Sequence, residues 1–336
     1  MSEPRFLIVR PDRIGDVVLS TPIPRALKKK YPKSFVAMLI RSYTQDLFLN
    51  NPYVDETILI DDTKGNRKSF FESLKEIRKH KFTHSFTLLP EEKNNYLLFL
   101  AGIKYRVGVG HKFYQFITNT KSVYRRKYKP LRHEADYCLD SIRKIGVEDD
   151  GLGTEIFLSE NEKKIVEQKR SELLGSKKYL IGIHSTSGNS APNWKPNTYA
   201  DLINELTQNQ NISVVCTDNK VPSEIKSIPN IISPNVDRSL RDSILNFASL
   251  DFLISASTGP MHIAAALKVK TISLFCPLTA TSPKLWAPQG NEKEILLPSE
   301  NYCGNQCSGD PKNCSFEGRG GIELERVINL LEEKYF

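Results

Sequence analysis

One unit in this sequence leaves little freedom in how the chain folds. An apolar run of strand length, Leu250-Asp-Phe-Leu-Ile254, leads through Ser255-Ala-Ser-Thr-Gly-Pro260 into Met261-His-Ile-Ala-Ala-Ala-Leu267, and then to a second apolar run, Thr271-Ile-Ser-Leu-Phe-Cys276. Strand, tight loop, helix and strand in so short a span make a βαβ unit. Gly259 supplies backbone freedom at the turn, and Pro260 at the first helical position gives up an N–H that the helix cannot use, so a helix starts there. Its unbonded N–H groups, with the Ser257 and Thr258 hydroxyls beside them and the positive end of the helix dipole behind, face outward at the carboxyl end of a strand. A phosphate suits such a place. The same residues also serve as ordinary turn chemistry.

The strand–helix alternation recurs along the chain. Apolar runs at 6–9, 35–40, 57–60, 82–88 and 105–109 predict strands, with helices expected over 43–50, 69–80 and 94–101 between them. A further helix is expected from Gly15 to Tyr31, which Pro22 and Pro24 break up. This is the pattern of a doubly wound parallel sheet. It restarts at Tyr179-Leu-Ile-Gly-Ile183 and Ile212-Ser-Val-Val-Cys216, after a polar connection near 146–153 and a Lys- and Glu-rich helix over 159–174. At 336 residues the chain is long enough for two such domains, each with its own interior. The expected division is 1–155, 156–320 and a terminal helix over 321–336 that packs back on the first domain.

Hydroxyl groups gather at a second strand end. His184-Ser-Thr-Ser-Gly188 follows a predicted strand, and Trp194-Lys-Pro-Asn-Thr-Tyr199 opens a helix with Asn197 or Thr198 as its cap. Ser185, Thr186 and Ser187 can hold a diphosphate, and Asp218, just after the next strand, is placed either to reach nucleoside hydroxyls or to serve as a turn residue. Asp16 lies at the first strand-to-helix turn, where an acidic residue also stabilises the helix dipole by up to ~1 kcal/mol. His262 either lines a pocket or is a satisfied histidine on a buried helix.

Charge favours an anionic partner: 47 Lys and Arg stand against 39 Asp and Glu, a formal net charge of +8. The most basic run, Lys121 to His133, carries Arg125, Arg126 and Lys127 among tyrosines; it is either a solvated loop or a surface for acidic groups or anionic lipid headgroups. No nucleic-acid module is present, and no apolar run approaches the ~20 residues that span a bilayer. With no signal-like run at the N-terminus, a cytoplasmic location is expected, and the six cysteines are then reduced. Cys303, Cys307 and Cys314 resemble part of a metal knuckle, but no nearby histidine supplies the last ligand of a closed zinc site, and no metal is expected.

Three of these stretches resemble one family. Ser257-Thr-Gly-Pro-Met-His-Ile-Ala-Ala-Ala-Leu267 is similar to the donor-site signature of glycosyltransferase family 9, which contains the lipopolysaccharide heptosyltransferases. Gly15-Asp16-Val17 resembles its N-terminal motif, and 184–199 its phosphate-binding segment. The resemblance implies a GT-B fold, two Rossmann-like domains facing across a cleft, with acceptor in the first and nucleotide sugar in the second. It implies inverting, metal-independent transfer of a heptose, with ADP-heptose as donor and an acidic lipopolysaccharide core as acceptor, without a cofactor. Asp16 is then the base. Ser185, Thr186, Ser187, Lys195, Asp218, Ser257, Thr258, Gly259, Pro260, Met261 and His262 bind donor; Arg13, Arg125, Arg126 and Lys127 bind an anionic glycolipid acceptor at the cytoplasmic face of the inner membrane. Two residues depart from the pattern. Ser257 stands where family members usually carry Asp, and Pro192 stands two before Trp194, leaving Lys195 as the nearest lysine. A sugar-nucleotide epimerase or hydrolase on the same fold, or a binding protein with a degenerate site, are the alternative readings.

Overall fold

The computed structural model describes residues 3–125, 128–305, 310 and 313–336. The chain divides into two compact units, Met1–Phe157 and Leu158–Phe336.

The first unit holds six parallel strands: β1 (Arg5–Val9), β2 (Phe35–Ile40), β3 (Glu56–Leu59), β4 (His84–Thr87), β5 (Tyr105–Val109) and β6 (Lys121–Val123). Their order is β3-β2-β1-β4-β5-β6. Connections run outward from β1 in both directions, so the order reverses between β1 and β4, and a crevice opens at their carboxyl ends. Strands β1 and β2 are almost wholly enclosed, as parallel strands with helices on both faces must be. The helix expected to run on to Tyr31 is two pieces, Ile14–Val18 and Pro22–Lys30. Pro22 lacks the N–H to continue the first and is well placed to start the second. The segment expected as a helix over 43–50 is a 3-10 helix, Ser42–Phe48.

The second unit holds β7 (Tyr179–His184), β8 (Ile212–Cys216), β9 (Phe252–Ala256), β10 (Lys270–Leu274) and β11 (Lys293–Leu296), all parallel, in the order β11-β10-β9-β7-β8. Here the reversal falls between β7 and β9. The Glu160–Leu174 helix begins at a Ser159 capping box with Glu162. The terminal helix, Leu324–Lys334, buries Val327 and Leu331 in the core of this second unit beside Leu202, Ile203 and Leu206. Its apolar stripe is therefore used within the second unit.

Candidate functional site

Both reversals in strand order carry polar groups. In the first unit, β1 ends at Val9 and the next residue, Arg10, turns inward, 2% exposed. Its guanidinium donates to three groups, Asp16 Oδ1 at 2.8 Å, Glu134 Oε1 at 3.0 Å and the Leu88 carbonyl beyond β4 at 3.1 Å, and its Nε forms an ion pair with Asp12 Oδ1 at 3.1 Å. Glu134 is fully enclosed and is also held by Arg125, through Nη1 at 2.9 Å and a second short contact to Oε2. Three carboxylates thus share two arginines at the switch point. Burial raises the Asp16 carboxyl above the ordinary Asp value; Arg10 opposes this and the charge on Glu134 adds to it. Asp12 is pushed up to about 6, again by burial first, against Arg10 and with Asp16. Asp16 keeps part of its side chain, 20%, open to solvent. A carboxylate held in place, partly open and less acidic than usual suits proton abstraction.

Arg13, the residue before the Ile14–Val18 helix, is exposed. Arg125 is not a free surface charge, because both arms of its fork are engaged by Glu134. Arg126 and Lys127 lie outside the described residues, as does Cys307 of the metal-knuckle reading.

In the second unit, the loop after β7 is organised by Asp218, at the end of β8. Ser185 donates to Asp218 Oδ2 from its N–H at 2.9 Å and its hydroxyl at 2.7 Å; Thr186 donates to Oδ1 from its N–H at 3.0 Å and its hydroxyl at 2.6 Å. Cys216 Sγ lies 3.2 Å from Oδ2. The Asp218 carboxyl, wholly enclosed, stays below its ordinary value: burial works the other way but is outweighed by His184 and the Ser185 and Thr186 donors. Both oxygens of Asp218 accept from the Ser185 and Thr186 donors, so these residues shape the loop. Ser187 is half-buried, and its carbonyl accepts from Ser190. Behind the loop, Asn193 Nδ2 donates to the Ser185 carbonyl at 2.5 Å, and Tyr199 donates to Asn193 Oδ1 at 2.8 Å. The following helix starts at Pro196, with Lys195 as its cap in place of the expected Asn197 or Thr198, because proline at the first position presets the helical φ. Lys195 is exposed and pairs with Glu317 at 2.5 Å.

The loop after β9 brings Ser257 and Thr258 to the start of the Gly259–Ala266 helix. Gly259 is the first helical residue and Pro260 the second, one place later than expected. Thr258 precedes them in extended conformation, and its side chain makes no cap bond. Gly259, Pro260 and Ser257 are half-buried, while the Met261 side chain is fully enclosed and His262 nearly so. Met261 can therefore offer only its backbone to a ligand. The Ser255 hydroxyl, buried in β9, has no hydrogen-bond partner among the described residues.

Sequence reasoning does not single out Arg10, Asp12 or Glu134. Arg10 and Asp12 stand beside the Gly15-Asp16-Val17 motif, but Glu134 is distant in the sequence and carries no local signal.

Each unit therefore presents a polar site at the switch point of a nucleotide-binding-type sheet, one built on a carboxylate, the other on a loop and a helix start. The fold is GT-B, built of two Rossmann-like units. Residues 71–314 match the model of glycosyltransferase family 9 (heptosyltransferase), and the chain belongs to that family. The match takes in the second-unit loops and begins after Asp16. A Haemophilus influenzae protein provisionally described as a glycosyltransferase is 29% identical over 84% of this chain and 86% of its own. Lipopolysaccharide heptosyltransferase 2 of Salmonella typhimurium is 23% identical over 89% of each chain. The structure of Escherichia coli ADP-heptose lps heptosyltransferase II superposes with a TM-score of 0.76 at 19% identity, covering 98% of both chains. The protein is a glycosyltransferase. Among the described residues no helix is long and apolar enough to cross a membrane.

Proposed function

We propose that this glycosyltransferase moves a heptose from ADP-heptose to an acidic lipopolysaccharide core acceptor, with inversion and without a metal ion. The acceptor hydroxyl oxygen attacks the anomeric carbon as the bond from that carbon to the diphosphate oxygen breaks. Its proton passes to the Asp16 carboxylate, and ADP departs with the bonding electrons. The observation that carries this reading is the setting of Asp16, partly open, raised by burial and gripped by Arg10 at 2.8 Å. Arg10 and Glu134 are positioning residues: Arg10 holds the carboxylate and keeps its pKa from rising further, and Glu134 holds Arg10 in place while its own charge pushes that pKa up.

On the donor side, the reading assigns the diphosphate to the start of the Gly259–Ala266 helix, where unbonded N–H groups and the dipole favour developing negative charge. Thr258, Ser257 and Ser187 are the hydroxyls left to contact it, and Lys195 reaches it only by leaving Glu317. The acceptor's negative charges fall to Arg13 and the basic run of the first unit. The protein then works in the cytoplasm, at the inner face of the membrane that holds its acceptor.

The test is a donor panel. ADP-heptose and a heptose-deficient core acceptor are expected to give an acceptor heavier by one heptosyl unit, with one ADP released. Transfer from a uridine- or guanosine-diphosphate sugar in preference would overturn the donor assignment. Release of ADP without acceptor modification would point to hydrolysis instead.

A further inference from the structure

The short helix Phe113–Ile117 of the first unit is built inside out. Its inward groups are polar: Gln115 and the adjoining Thr118 are buried. Its outward groups are Phe113, Phe116 and Ile117, exposed at 78%, 83% and 54%. The orientation is fixed by a network beneath the helix. Gln115 Nε2 donates to the Val109 carbonyl at 3.2 Å, and its Oε1 accepts from the Ser122 hydroxyl at 3.1 Å and the Lys112 N–H at 3.0 Å. Asn95 donates to Thr118 Oγ1 at 2.6 Å and accepts from Thr120 at 3.0 Å. Gly108 gives the space for this: a Cβ there would lie 2.6 Å from Gln115 Nε2. Rolling the helix to bury its phenyl rings would break that network and bury unpaired amides.

Single exposed apolar residues are ordinary on a protein surface, but three on one turn are not. The surroundings say what covers them. Between residues 93 and 133 the sequence has ten Lys and Arg and no Asp or Glu. Some of that charge is spent internally, since Arg106 is buried and Arg125 and Arg132 pair with carboxylates. Lys112, Lys121 and Lys104 are exposed. Tyr124 is exposed as well, its ring 6.1 Å from that of His111. A second copy of the chain meeting this face about a two-fold axis would bring like charges together. An anionic bilayer instead offers hydrocarbon for the rings at headgroup depth and phosphates for the lysines.

We propose that the Phe113–Ile117 turn is a membrane-docking element, which inserts Phe113, Phe116 and Ile117 into the headgroup–acyl boundary of an anionic phospholipid bilayer while the flanking lysines meet the phosphates. The inference goes beyond the transfer reaction and stands without it, because binding is measured with no sugar present. The full chain is sedimented with vesicles of phosphatidylcholine, with and without phosphatidylglycerol. Binding is expected only to the anionic vesicles, weakening as salt is added. The double variant Phe113→Ser, Phe116→Ser should lower the partition constant on the order of 100-fold, with its melting temperature and ADP affinity unchanged. Partition of the double variant at the parent level, or equal binding of the parent to neutral vesicles, would overturn the proposal. So would a concentration-dependent dimer of the parent that the double variant abolishes, which would assign the face to a second copy. In Phe116→Trp the emission should move to the blue on anionic vesicles; a bound variant with water-exposed emission contradicts insertion.

Discussion

Replacing Asp218 by alanine tests whether this carboxylate builds the loop after β7. The magnitude follows from which of its partners water can reach. The Thr186 donors are near the surface, so water replaces the carboxylate there at little cost. Ser185 is buried, and its N–H and hydroxyl, 2.9 and 2.7 Å from Oδ2, lose their acceptor. Each unsatisfied buried donor costs about 1–3 kcal/mol. Truncation also relieves a buried charge. That relief is the smaller effect, since the pKa of Asp218 lies below its ordinary value despite burial, so its partners favour the charged form by more than desolvation disfavours it. A net loss of about 3 kcal/mol is expected once a water has taken up part of the vacated volume. For a domain of this size that lowers the melting temperature by roughly 6–12 °C. Scanning calorimetry should show the shift in the second unit's transition, and titration should show weaker ADP binding as the loop loses its shape. An unchanged transition and parent affinity would refute the assignment of Asp218 as organiser of the loop.

The remaining predictions concern both units. Arg10→Lys keeps a positive charge but cannot hold Asp12, Asp16, Glu134 and the Leu88 carbonyl together, so turnover should fall and the acidic limb of the kcat–pH profile should move to higher pH; a profile of unchanged shape would count against Arg10 as a positioning residue. His184 is held below its ordinary pKa by burial, with Asp218 opposing. The unfolded chain then takes up this proton first, so stability should decline as pH falls below about 6.5 and on through the folded value. His184→Gln should flatten that decline in melting temperature, and an equally steep profile in the variant would contradict it. Gly259→Val places a branched side chain at the first helical residue and should weaken ADP binding by about tenfold, a loss of about 1.4 kcal/mol, with the first unit's transition unmoved; parent affinity in calorimetric titration would remove that helix start from the donor site.

The sheets are legible because parallel strands buried on both faces must be short apolar runs, and β1, β2, β5, β7 and β8 coincide with such runs within a residue or two. Strand β6 is not, since only three residues pair at a sheet edge and they sit inside the most basic stretch of the chain. The loops after β7 and β9 announce themselves through hydroxyl residues, Gly and Pro. What those side chains bond to does not. Ser185 and Thr186 carry no local sign that Asp218, more than thirty residues away, accepts from four of their donors. Glu134 meets Arg10 across 124 positions, a contact that no local pattern encodes. The Phe113–Ile117 helix is hidden for another reason. An amphipathic pattern gives the two faces but not which one points inward, and here the polar face does.

The central claim is that Asp16 is the general base, and turnover and stability measured together on Asp16→Asn test it most directly. The amide keeps the shape and still accepts from Arg10, but it cannot take up a proton. Because burial raises the pKa of Asp16, its ionised form costs stability as pH rises above the ordinary Asp value of about 3.8, so the uncharged amide should not lower the melting temperature near neutral pH. With saturating donor and acceptor, kcat is expected to fall by ~10²–10⁴-fold while ADP affinity and melting temperature hold or rise. A helix-terminal charge would give the opposite pattern, a stability loss of up to ~1 kcal/mol with turnover intact. A folded Asp16→Asn protein that turns over at the parent rate contradicts the account.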